Sequence, residues 1–165
     1  MSIDLFRDAL AKSMLLNKEL ANKCPWMAFA MAELGVAEGK GTENNPRVVE
    51  YLKLVGFSND ETPWCAGFAN WCMNRAGIVG TGKAGAKWWI TWGKALATPE
   101  FGAITVFTRP PDPASGHVAF FISEEGENII VLGGNQSKAG TDGAVTIGAY
   151  PKSRLLGYRW KGSSS

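Results

Sequence analysis

The pattern of the chain changes near residue 100, and this change limits the folds open to it. Upstream, apolar residues recur at helical spacing, punctuated by proline and glycine. Leu5, Ala9, Leu16 and Leu20 mark an amphipathic helix over 4–22. Further helices are predicted over 25–35, 46–56 and 63–77, each opening near a proline (Pro25, Pro46, Pro63) and closing at Gly35, Gly56 or Gly77. AKWWITWGKAL, residues 86–96, reads as one more helix. Downstream come short β-branched or aromatic runs at 102–107, 116–122, 128–134, 144–150 and 155–160. These read as mostly antiparallel strands. Helices first and strands second predict an α+β fold, N-terminal helices packed on the sheet.

The 165 residues suit one compact domain, with 45% hydrophobic and 19% charged residues. Three units are expected: an N-terminal helical extension over 1–24, the main domain over 25–161, and a tail over 162–165. A net charge of +2 and the lack of a long basic run argue against nucleic acid as partner, while a weakly basic surface tolerates an anionic polymer. No apolar stretch approaches a bilayer span, so membrane insertion is not expected. The N-terminus mixes charges throughout, which predicts cytoplasmic synthesis without a secretory signal. Cys24, Cys65 and Cys72 make an odd, small set, so at least one thiol should be free.

Cys65 opens a helix in Thr62-Pro63-Trp64-Cys65-Ala66-Gly67. The free N–H groups and dipole there favour an anion, which predicts a lowered thiol pKa and a nucleophile. Ala66 and Gly67 would leave room for a substrate. His117, the sole histidine, opens a strand behind Gly116. A hairpin closing on residues 125 and 126 sets His117 opposite Gly134. One closing on 125–127 sets it opposite Asn135. Either way Asn135 comes within side-chain reach of His117 and is the expected orienter of the imidazole, with Gln136 as fallback. Trp64, Glu61 and Gln136 are candidate substrate contacts. Cys65, Cys72 and His117 make a poor zinc set, since seven residues of helix separate the cysteines by about 10 Å. No metal or cofactor is expected.

These residues resemble a known family. PWCAGFANWC, GHVAFF and VLGGNQ, in that order, are similar to the CHAP and NlpC-like branch of papain-fold enzymes from bacteria and bacteriophages. PWMAFAMAELGVAEGKG with NPRVVEYL, and SRLLGYRW at the end, extend the resemblance over about 25–161. It implies a papain-like fold and hydrolysis of peptidoglycan, at a stem-peptide amide or at the amide joining sugar to peptide. It casts Cys65 as nucleophile, His117 as general base and acid, and Asn135 as orienter. The oxyanion hole would use the Cys65 N–H, with the Thr62 hydroxyl a guess for the second donor. The implied setting is a monomeric phage endolysin released by a holin, or a secreted effector with an immunity protein as partner. Two alternatives stay open: a cysteine hydrolase or acyltransferase acting on a protein or small molecule, and a non-catalytic cell-wall-binding or virion module.

Overall fold

The structure is a computed structural model. It describes residues 5, 8, 9, 12, 18–40, 43–59, 63–137 and 143–162. The described helices are α1 (Lys18–Lys23), α2 (Trp26–Ala32), α3 (Pro46–Lys53) and α4 (Cys65–Arg75), with 3₁₀ turns at Ala86–Thr91 and Lys152–Arg154. The strands are β1 (Lys94–Leu96), β2 (Ile104–Thr108), β3 (Gly116–Glu125), β4 (Asn128–Gln136), β5 (Ala144–Pro151) and β6 (Leu155–Trp160). They form one antiparallel sheet in the order β1-β6-β2-β3-β4-β5. The α+β class and its helices-then-strands order are as the sequence predicts, and the architecture is papain-like.

Local chemistry sets the helix ends. Asn45 caps α3 by accepting a hydrogen bond from the Arg47 N–H at 2.8 Å, with Pro46 at the first position. Gly56 and Gly77 follow α3 and α4 at positive φ, where a glycine ends a helix without steric cost. Of the helix expected over 4–22, the described part is α1 and the helical residues 5, 8, 9 and 12; the remainder lies outside the described residues. Lys23 ties this end to the body through an ion pair with Glu100 at 2.9 Å.

α4 is the central helix. Residues 65 to 73 are all buried, so it has no solvent face over that length. Its Phe68 meets Phe120 of β3 edge-on at 6.2 Å. On the other side Tyr51 of α3 packs against Trp64, Phe68 and Trp71. Gly67 serves this packing: a Cβ there would lie 3.2 Å from the Tyr51 carbonyl oxygen. The small residue admits α3, not a substrate, which corrects the sequence reading.

Gly134 performs the same service toward the sheet. A Cβ on it would lie 2.7 Å from Phe68 Cβ and 2.8 Å from the Trp64 ring. Gly134→Ala should therefore push α4 off β4 and cost about 2 kcal/mol, read as a lowered urea midpoint.

The segment 86–96 is not one helix. It is a 3₁₀ turn followed by edge strand β1. Between them Gly93 lies so close to the Trp160 carbonyl oxygen that no side chain fits, and β1 then pairs with β6. Tertiary pairing overrides the local helical pattern here. Trp89 is fully buried and Trp88 is exposed, so the aromatic cluster is mainly core. Among the described residues, no helix is long and apolar enough to cross a membrane.

Candidate active site

The fold brings the start of α4 to the start of β3. The backbone N–H groups of Val118, the residue after His117, and of Ala66 and Cys65 favour the thiolate form of Cys65. All three cysteines are free and buried.

Burial outweighs these donors. It holds the Cys65 thiol above its ordinary range, against the pull of the Val118 N–H, the Arg109 charge and the other two N–H groups. The thiolate expected from the helix start is thus not the resting form; the helix supplies the donors, but the site is dry. The same burial pushes His117 down to about 4. The hydrogen bond His117 donates to Gln136 opposes this, while Arg109 and Arg154 add to it. At neutral pH the resting pair is a thiol and a neutral imidazole.

The orienter of His117 is Gln136, not Asn135. Gln136 Oε1 lies 2.8 Å from His117 Nε2. Gln136 Nε2 donates to the Thr146 carbonyl oxygen at 2.8 Å and to Thr146 Oγ1 at 3.2 Å. The amide orientation is thereby fixed, Oε1 can only accept, and His117 Nε2 must carry the proton. Nδ1 keeps its lone pair.

A single backbone angle moves this role by one residue. The β3–β4 turn falls at Gly126-Glu127, and a bulge between Phe121 and Ser123 restores the Phe120↔Leu132 register. Extended onward, that register would set Asn135 opposite His117. Asn135 instead has φ 55°, and the β4–β5 ladder shifts between Gly133 and Gln136. A left-handed residue breaks the two-residue alternation, so Gln136 takes the face that Asn135 would have held. Two glycines clear its slot. A Cβ on Gly133 would lie 2.6 Å from Gln136 Oε1, and one on Gly148 would lie 3.2 Å from Nε2. Both amide atoms of Gln136 are engaged within the protein, and the residue is only 2% exposed at the cleft.

Two other candidates fall differently. Trp64 is fully buried, with its ring against Tyr51 and its indole N–H donated to Glu38 at 3.4 Å, so it is core and does not reach a substrate. Glu61 lies outside the described residues, as does Thr62. The sequence reading also missed Tyr150, whose ring stacks on His117 at 4.9 Å and on Phe107 at 4.9 Å. It lies on β5, and no local pattern pairs it with a strand start 33 residues earlier. Gly116, by contrast, does admit a close neighbour, since a Cβ there would lie 2.9 Å from Lys87 Cγ.

A cleft of about 410 Å³ opens on this site, lined among others by His117, Asn135, Tyr150, Arg109 and Arg154. A buried thiol at a helix start, set against a strand whose histidine is held by an amide on the next strand, is the layout of a papain-like cysteine enzyme. Residues 57–135 match the family model of the CHAP domain, a papain-like module of peptidoglycan amidases and peptidases. No curated protein matches the chain.

The burial of His117 makes stability depend on pH. Its folded pKa, about 4, lies below the unfolded value near 6.5, so between these values the unfolded chain binds the extra proton. The contribution is complete above pH 6.5 and is lost as pH falls toward 4. It amounts to about 3 kcal/mol. Urea unfolding followed from pH 7 to pH 4 should show this loss, and a His117→Asn variant should lack that part of it.

Proposed function

We propose that the chain hydrolyses peptidoglycan by covalent acyl transfer, with Cys65 as nucleophile, His117 as general base and acid, and Gln136 as positioning residue. The observation that carries this reading is the hydrogen bond that His117 Nε2 donates to Gln136 Oε1, which leaves Nδ1 as the ring's one basic atom.

In the first step the Cys65 thiol gives its proton to His117 Nδ1 as the sulfur attacks an amide carbonyl carbon. The C–N bond then breaks, and the same proton passes to the departing amine. In the second step a water gives a proton to Nδ1 and adds to the thioester carbon. The C–S bond breaks, and the proton returns to the sulfur. Starting from the neutral pair, the enzyme meets the dry site's cost of charge only as the substrate's oxyanion forms. Backbone N–H groups at the start of α4 are the donors nearest that charge.

The proposed bond is an amide of the stem peptide or the amide between sugar and peptide. The proposed setting is a lysin or a delivered effector acting on the wall from outside the cell that made it. Purified sacculi incubated with the protein should release soluble muropeptides carrying new amine ends, and mass spectrometry of them locates the bond. Intact sacculi after prolonged incubation with folded protein would refute the proposal.

A further inference from the structure

The cleft beside His117 has a charge that the chemistry of amide hydrolysis does not itself require. Arg109 and Arg154 both line it, and none of the described lining residues is acidic. Among the described residues neither guanidinium has a carboxylate within salt-bridge distance.

The two arginines are held differently. Arg154 is fixed: its Nε and Nη2 donate to the Thr108 carbonyl oxygen at 3.0 and 2.7 Å, and its guanidinium lies 5.4 Å from the Tyr150 ring centroid. Tyr150 in turn stacks on His117, so Arg154, Tyr150 and His117 form one layered wall. Arg109 follows the end of β2, directly after the Thr108 that anchors Arg154, and its side chain is exposed. Both charges disfavour the imidazolium of His117, and that of Arg109 also acts on Cys65. Two unpaired cations so close to a base that must become a cation are a standing electrostatic cost, which an anion bound between them removes.

We infer that Arg109 and Arg154 form a carboxylate subsite that holds a free carboxylate of the stem peptide in the cleft next to the scissile amide. The planar guanidinium suits a carboxylate, and charge-assisted bonds of this kind discriminate strongly against a neutral amide of the same shape. The inference rests on the peptidoglycan reading of the site and narrows it: the substrate is an acidic stem peptide, and amidating the recognised carboxylate makes it a poor ligand.

The test uses the full chain carrying Cys65→Ala, so that ligands are bound and not consumed. Purified muropeptides, and the same muropeptides with each carboxylate in turn converted to its primary amide, are titrated by calorimetry. One amidation should weaken binding by about 10- to 100-fold. Adding Arg109→Met should remove most of that difference, and adding Arg154→Met should also reduce it. Arg109→Met carries the result if Arg154→Met disturbs the Thr108 anchor, a point checked by urea unfolding. Equal binding of every amidated form, discrimination that survives Arg109→Met, or no binding at all would overturn the inference. Failure of the hydrolase reading appears separately, as selective binding by Cys65→Ala with no cleavage of the same muropeptides by the unaltered chain.

Discussion

Cys65→Ala is expected to abolish the release of soluble muropeptides from sacculi, with a loss of about 10⁴-fold or more in turnover. In the proposed mechanism the sulfur is the one atom that bonds to the substrate, and an alanine has nothing to put in its place. The fold should survive. The side chain lost is small, and its interactions are made by main-chain N–H groups that also begin a helix anchored by Phe68 and Trp71. Circular dichroism and the urea midpoint should therefore stay near those of the parent. Residual lysis at a parental rate would mean that another group performs the attack.

Gln136→Leu should cost about 10³-fold in kcat with little change in KM. Leucine fills the glycine-walled slot but accepts no hydrogen bond. His117 is then free to move its proton to Nδ1, the atom that has to be unprotonated for the thiol to react. Asn135→Ala is the informative contrast. Asn135 makes no hydrogen bond to the imidazole, so this change should cost less than about 10-fold in kcat. Its main effect should be on stability, because alanine at φ 55° costs about 1 kcal/mol. The reverse order, with Asn135→Ala the more damaging, would restore Asn135 as the orienter and remove Gln136 from the mechanism.

These two substitutions mark the line between what the sequence makes legible and what it does not. Cys65 and His117 announce themselves locally. One follows a Pro-Trp turn at a helix start, and the other follows a glycine at a strand start. The change of pattern near residue 100 gives the order of the layers. The orienting residue is different, because it depends on one dihedral angle. Counting along an ideal hairpin reaches Asn135, and the observed Phe120↔Leu132 pairing agrees with that count. The left-handed turn at Asn135 then hands the position to its neighbour. Gly133-Gly134-Asn135 does contain the signal, since glycine and asparagine tolerate such angles, but it does not say which residue will adopt one.

The other misreadings share a cause. Trp64 and Gly67 flank the nucleophile, and their position suggested substrate contact. Both are spent on packing α4 against α3 and β4. A helix that carries a buried nucleophile needs its neighbours for its own seating. Likewise the tryptophan-rich stretch at 86–96 has helical spacing, yet β6 captures its second half as a strand. Contacts between residues 94 and 160 lie beyond any local window.

The anchorage of Gln136 on Thr146 bears on how such a protein can be trimmed. The family match ends at residue 135, one short of the amide that keys the imidazole and before the edge strand that braces it. A fragment excised along that boundary would keep both reactive groups and lose the part that aligns them. Any shortened form of this chain should therefore retain the stretch through residue 150.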